Sequence, residues 1–246
     1  MKKYLLTFSI SLISICTSGQ TLIVIPKIGA TIATVSTSET DVMQFPGFEE
    51  EIKSRVGFTL GAALNYSFND KLSVQPELNF IQKGYQESFS STLIEDFEGQ
   101  IITYTNSSTT KYTLNYLEIP VLAKLSFGGE TKVYAIAGPS VGIGLGGKFK
   151  YDNETIESSD DFEETYSNSG KGKIKFGEAT ENYEGDDLFI DNRIDFGIQV
   201  GAGILIAHKI ILEARYGLGL SSLYDSEYEV KNRVFQFTIG MPLTLR

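Results

Sequence analysis

The side chains with the most chemical potential in this sequence are ionisable residues placed on the polar side of alternating segments. Glu77, Glu118, Lys124, Arg193, Asp195, Glu213 and Arg215 all stand at polar positions within stretches whose every second residue is apolar. Carboxylates and cations gathered on one protected face support a buried ion-paired filling, a path for protons or ions, or a ligand site. Filling is the expectation, because unpaired charge away from water is costly. A second group, Asp160, Asp161, Glu184, Asp186 and Asp187, lies in an acidic run. Dense carboxylates are candidate calcium ligands, but the 12-residue loop with its fixed ligand positions is missing there, so solvated acid is expected and no metal is assigned. His208, the single histidine, falls in a turn, which leaves no histidine for a nucleophile–base pair. Gly142, Gly144, Gly146 and Gly147 lack the following Lys-Ser/Thr and helix of a phosphate-binding loop. No catalytic residue and no cofactor is assigned, and the chain reads as a non-enzyme.

The elements that position these residues are legible from periodicity. Between Arg193 and Ser222, Ile194, Phe196, Ile198, Val200, Ala202, Ile204 and Ile206 alternate with polar residues and glycines. After Ala207, His208 and Lys209 the pattern resumes with Ile210, Leu212, Ala214, Tyr216, Leu218 and Leu220. A two-residue period marks strands with one apolar face, here a hairpin. The opposite face is rich in glycine, which weakens a water-exposed strand but suits the cramped inside of a narrow barrel. A soluble lipid-carrying barrel with its apolar face inward is therefore the lesser reading, and a membrane barrel with its apolar face toward lipid the better one. With the turn centred on His208, Arg215 should lie opposite Gly201 and Glu213 opposite Gly203.

Residues 1–19 read as a secretory signal peptide. Lys2 and Lys3 precede an apolar run, and Thr17, Ser18 and Gly19 supply small residues for cleavage before Gln20. Cleavage there removes Cys16, the single cysteine. Beyond it no apolar run is long enough for a spanning helix. An exported chain without such a helix can still cross a membrane as a closed barrel, which pairs every backbone group internally. The net charge of −10 belongs to one segment: from Tyr151 to Asp191 there are 13 Asp or Glu against three Lys. An acidic chain with no basic patch in its sequence argues against nucleic acid as a partner.

The pattern predicts eight strands in residues 20–246. They lie near Val24 to Thr34, Phe58 to Phe68, Leu72 to Phe80, Tyr116 to Phe127, Val133 to Leu145, the two arms of the hairpin, and Phe235 to Leu245. Connections alternate long and short, the asymmetry of bacterial outer-membrane barrels with short periplasmic turns and long external loops. The expected fold is all-β, an eight-stranded antiparallel up-and-down transmembrane barrel. Turns at Asn69, Gly128 and His208 would face the periplasm, and an acidic external loop at about 147–191 would face outside. The Ser/Thr-rich stretch Gln86 to Thr110 is expected to extend strands beyond the membrane. Pro76, Pro120, Pro139 and Pro242 should mark bulges or strand ends. Ile136 and Leu122 break the polar face.

Tyr116-Leu117-Glu118-Ile119-Pro120-Val121-Leu122, Ala137-Gly138-Pro139-Ser140-Val141-Gly142, Asp195-Phe196-Gly197 with Gly201-Ala202-Gly203, and Glu213-Ala214-Arg215-Tyr216 occur in order along the chain. Together they resemble the PorT-type outer-membrane β-barrel family, over roughly Gln20 to Arg246. The resemblance implies an eight-stranded barrel of the Gram-negative outer membrane, and it implies a link, through one branch of the family, to type IX protein secretion. The long acidic segment and the terminal Leu245-Arg246 depart from that family's pattern. The resulting expectation is a porin-like but filled barrel, monomeric in outer-membrane lipid, whose external loops bind a protein partner or ligand. A component of a type IX-like secretion assembly is the alternative.

Overall fold

A computed structural model describes residues 22–38, 47–97, 99–179 and 185–244. The leader expected at 1–19 and the cleavage point before Gln20 lie outside them. The strands are β1 (Leu22–Thr37), β2 (Phe48–Ser67), β3 (Leu72–Phe97), β4 (Gln100–Gly128), β5 (Lys132–Ser158), β6 (Glu163–Phe176), β7 (Leu188–Ile190), β8 (Ile194–Ile206), β9 (Ile210–Gly219), β10 (Val230–Gly240) and β11 (Leu243–Thr244). Eight of them close a ring by antiparallel pairing, in the order β1-β2-β3-β4-β5-β8-β9-β10 and back to β1. Closure leaves no unpaired edge, the condition for strands in hydrocarbon. No helix among the described residues is long and apolar enough to cross a membrane.

The faces fall as the alternation requires. Ile194, Phe196, Ile198, Val200, Ile206, Ile210 and Leu212 are exposed on the outside, with Ile28, Leu60, Leu78, Val121, Val133, Phe235 and Phe237 around the ring. A water-soluble surface would not carry such a belt; lipid covers it. The hairpin register places Gly201 opposite Arg215 and Gly203 opposite Glu213. Space explains both glycines. A Cβ on Gly201 would stand 2.4 Å from the Ala214 carbonyl oxygen, and one on Gly203 would stand 2.3 Å from the Tyr134 hydroxyl.

Three short turns join the ring at one end. Asn69 accepts hydrogen bonds on its side-chain oxygen from the Lys71 and Leu72 amides, closing an Asx turn. Gly128 adopts φ 117°, a conformation that favours glycine. In the three-residue connection from β8 to β9, Ala207 and His208 both take left-handed φ, 48° and 57°, and the Lys209 amide donates to the Ile206 carbonyl at 2.9 Å.

At the opposite end the strands run on well past the belt. β3 and β4 stay paired to Phe97 and Gln100, so the Ser/Thr-rich stretch does extend the strands. The acidic segment differs from expectation. It is not a solvated loop: β5 continues to Ser158, β6 returns beside it from Glu163, and β7 adds to β6 in parallel. Lysines and glycines between its apolar residues obscured the alternation. Together β2 through β6 make an external sheet.

The prolines disturb the ladder less than predicted. Pairing lapses for two residues after Pro76 and again after Pro120, yet the register is the same on both sides. Pro139 sits in an unbroken run opposite Ile198. Only Pro242, between β10 and β11, marks a strand end. The register shifts lie elsewhere, between Ser54 and Thr59 on β2 and between Asn115 and Tyr116 on β4.

Candidate functional site: a sealed ionic lumen below an external sheet

The inward positions bring together six of the seven ionisable residues singled out by their spacing and add two more. Around Glu77 on β3, Lys27 donates to both carboxylate oxygens at 2.8 Å, and Arg215 on β9 donates through Nη1 at 2.9 Å and through Nη2. Gln75 and Asn79 supply further donors to Glu77 at 2.6 and 2.9 Å. Glu213 completes this group. It lies 2.6 Å from Arg215 Nη2 and 3.3 Å from Lys27 Nζ, and accepts from the Tyr134 hydroxyl at 2.8 Å.

A second group lies toward the extracellular end. Lys83 Nζ sits 2.8 Å from Glu118 and 3.0 Å from Asp195, and Asn232 donates to Asp195 at 2.9 Å. Gln199 joins the two groups, donating to Glu118 at 2.8 Å and accepting from Arg215 at 3.3 Å. Lys124 completes the set toward the periplasmic end, donating to Gln75 at 3.3 Å with its ammonium 3.8 Å from the centre of the Tyr134 ring.

Four buried cations, Lys27, Lys83, Lys124 and Arg215, thus face four buried carboxylates, Glu77, Glu118, Asp195 and Glu213. Their formal charges cancel, which is the condition for retaining ions in a confined interior. Lys27 alternates with Ile28 in the first strand, and Lys83 keeps the parity of Glu77 and Asn79 past the apolar Ile81, so the period is consistent with both places. Gln199 was held inward by the alternation of Ile198 and Val200, whereas Asn232 lies ahead of the expected eighth strand and carried no such signal.

Arg193 does not join them. It precedes β8, stays exposed, and donates through Nε to the Gly144 carbonyl at 3.0 Å, while Gly144 returns a backbone bond. The alternation begins only at Ile194, so Arg193 belongs to the rim where the chain enters the strand.

Apolar clusters close both ends of this interior. On the periplasmic side Ile25, Ala63, Leu122, Tyr134, Ile136 and Ile211 pack together, which accounts for Leu122 and Ile136 interrupting the polar face. On the extracellular side Ile81, Leu114, Tyr116 and Val234 meet Ile174 of β6, Ile190 of β7 and Leu223 of the β9–β10 connection. Phe176 packs edge-on against Tyr116, ring centres 5.3 Å apart, over Gly144, where a Cβ would stand 2.6 Å from the ring. The root of the acidic segment is therefore an apolar plug. Between the plug and the ions, Lys83, Asp195, Gly219 and Asn232 line a void of about 10 Å³, room for a single water-sized sphere. The arrangement is a filled core. Every carboxylate in it is held by a cation, an amide or a hydroxyl.

The weak calcium candidates separate. Asp160 and Asp161 lie exposed at the turn between β5 and β6. Asp187 lies at the other end of β6, bridged to Lys175 at 2.7 Å, with exposed Asp186 beside it. Twelve residues of strand keep the two pairs about 40 Å apart. Glu184 lies outside the described residues. No group of three potential metal ligands forms among the described residues.

Above the belt, burial pushes the Glu87 carboxyl upward from its ordinary range, nearby Glu50 adds to the shift, and a 3.0 Å hydrogen bond from Tyr112 opposes it. Tyr112 stacks on Tyr85 with ring centres 4.6 Å apart, so this carboxylate stands at an aromatic mouth over the plug.

A ring of eight antiparallel strands with a lipid-facing belt and an ion-filled interior defines an integral outer-membrane β-barrel protein. The chain belongs to the family described as outer membrane protein beta-barrel domain, whose model matches residues 20–225. Among solved structures it is similar to the attachment invasion locus protein Ail of Yersinia pestis, with 14% identity, TM-score 0.38, and 91% and 99% of the two chains covered. It is also similar to Neisserial surface protein A (13%, TM-score 0.35, covering 93% and 100%) and to OprG of Pseudomonas aeruginosa (11%, TM-score 0.33, covering 92% and 97%). No curated protein matches the chain.

Proposed function

We propose that this is a non-enzymatic barrel that works through its external sheet, holding a protein partner or ligand outside the cell. The carrying observation is the sealed lumen. With charge balanced inside and apolar clusters at both ends, the exposed surface available for recognition is that of β2–β6. The face of that sheet continuing from the lumen displays Phe48, Phe89, Leu93 and Tyr166, all well exposed, with Asn106 and Thr155 between Phe48 and Tyr166 in the register. Exposed aromatics interleaved with amides and hydroxyls are the composition of a recognition surface. The test is capture from a detergent extract by the wild-type barrel and by a Phe48→Ala/Phe89→Ala/Leu93→Ala variant. A partner retained by wild type and lost by the variant supports the reading; equal capture by both refutes it.

The PorT-type assignment and a place in a type IX-like secretion assembly form the second reading, supported by the ordered segments around Tyr116–Leu122 and Glu213–Tyr216. Deleting the gene without affecting export of secreted cargo would sink that reading and leave the first intact. Export through a leader cleaved before Gln20 belongs to both, and N-terminal sequencing of the purified barrel tests it.

A further inference from the structure

Strand pairing assembles a basic patch that the sequence disperses. The expectation of no basic patch followed from reading the chain linearly. In the register Lys111 of β4 pairs with Lys150 of β5, which pairs with Lys171 of β6, and one row nearer the belt Lys148 pairs with Lys173. Along β5 and β6 these lysines alternate with Phe149, Ile174 and the glycine that accommodates the Phe149 ring, all on the plug side, so the ammonium groups project outward. Arg55 adds a sixth cation at the margin, donating at 2.9 Å to the hydroxyl of Thr113, the residue paired with Lys148.

Like charges directly opposite on neighbouring strands repel, and here three such pairs adjoin. None of the five lysines has a salt bridge among the described residues, unlike Lys53, Lys175 and Lys231, which bridge Glu51, Asp187 and Glu229. The nearest outward acids on the same strand, Asp152 and Glu154, begin the rows beyond, farther from the belt. Along β5 charge is therefore sorted by height, basic next to the membrane and acidic away from it, while at the lower end of β6 the patch is bordered by exposed Asp186 and by Asp187, which Lys175 neutralises.

The height is the second observation. Lys148 and Lys150 lie three and five residues above Leu145, and Lys111 six above Leu117, the top outward residues of the continuous apolar belt on those strands. At about 3.3 Å per residue and a tilt of about 45°, that places the ammonium rows roughly 7–14 Å above the hydrocarbon edge. Headgroup phosphates of the outer leaflet occupy that layer, and the patch is continuous with the lipid-covered belt below it.

From this register and height we infer that the outward face of β4–β6 is a binding site for the phosphorylated sugar headgroup of an outer-leaflet glycolipid of the lipid A class. The five lysines accept its phosphates, and the belt beneath, at Val141, Ile143 and Leu145, receives its acyl chains. The site depends on the outer-membrane orientation of the barrel but not on any partner of the inner sheet face.

The test uses the full-length refolded barrel in a mild non-ionic detergent, titrated with diphosphoryl lipid A and with the same lipid A dephosphorylated, and bound lipid is counted by native mass spectrometry. Wild type should prefer the diphosphoryl form. Lys148→Gln/Lys150→Gln/Lys171→Gln/Lys173→Gln should lose more than about tenfold in affinity, since a lysine near an anionic headgroup layer contributes about fivefold. Arginine at the same four positions should keep the binding, and so should Lys71→Gln/Lys132→Gln at the periplasmic end. Equal affinity of wild type for the two lipids overturns the inference, as does full retention by the folded glutamine variant. Heat-modifiable migration reports the fold of each variant separately, so loss of the barrel is distinguished from loss of the site.

Discussion

Arg215→Met removes the cation at the centre of the lumen. Arg215 satisfies two carboxylates at once, bonding Glu77 through both terminal nitrogens and Glu213 through Nη2, and also donates to Gln199. Without it, Lys27 alone must compensate Glu77 and Glu213, and its longer contact, 3.3 Å to Glu213, must carry one of them. A buried carboxylate left short of its partner costs about 3–5 kcal/mol. Adding Glu213→Gln restores neutrality to the group, with Lys27 facing Glu77, and should recover at least about 2 kcal/mol of that loss. The chain has 13 tyrosines and no tryptophan, so unfolding by guanidinium in micelles is best followed by far-ultraviolet circular dichroism, with heat-modifiable migration as a second probe. A single-variant cost below about 1 kcal/mol, with no recovery in the double variant, would mean that water screens these charges and the lumen is not a closed core.

Other perturbations probe the belt, the plug and the mouth. Ile198→Arg places a charge on the lipid face and should cost about 2–4 kcal/mol in refolding titrations, whereas Ile198→Leu should be nearly silent; equal costs would mean that the outward face is misassigned. Phe176→Ala should loosen the extracellular plug and speed hydrogen exchange at Tyr116 and Ile174, leaving exchange near Ile25 and Ile211 unchanged. Glu87, whose carboxyl lies above its ordinary range in the fold, destabilises the mouth when ionised. That penalty is complete above the raised folded value and vanishes as pH falls through it toward the ordinary value of 4.5, so protection factors at Tyr85 and Tyr112, with the intrinsic pH dependence of amide exchange divided out, should rise on mild acidification in wild type but not in Glu87→Gln. In planar bilayers the barrel should give no steady conductance, and large sustained steps would contradict the sealed lumen.

Strand number, the sense of the faces and the hairpin register were legible because a two-residue period writes them directly: once Ile194 to Ile206 point outward, Asp195 and Gln199 cannot. The same period held the place of Lys27 opposite Ile28. It failed at Arg193, one residue before the strand begins, and along 147–191, where lysine and glycine between Phe149, Ile174 and Phe176 look like solvated loop. What turns that segment into strands and plug is its pairing to the end of β5 and its contacts with Tyr116 and Leu223, interactions between residues far apart in sequence. The lysine patch was hidden for the same reason, being a property of register.

The barrel is oriented, with its sealed ring in the outer membrane and the β2–β6 sheet outside the cell. Cys16 is the chain's single cysteine and lies in the proposed leader, so single cysteines can be introduced at Ser107 in the sheet and at Asp70 in a short turn and reacted with a membrane-impermeant maleimide on intact cells. Ser107→Cys should label fully on intact cells, and Asp70→Cys only after the outer membrane is permeabilised. Labelling of Asp70→Cys on intact cells while Ser107→Cys stays protected would contradict the account.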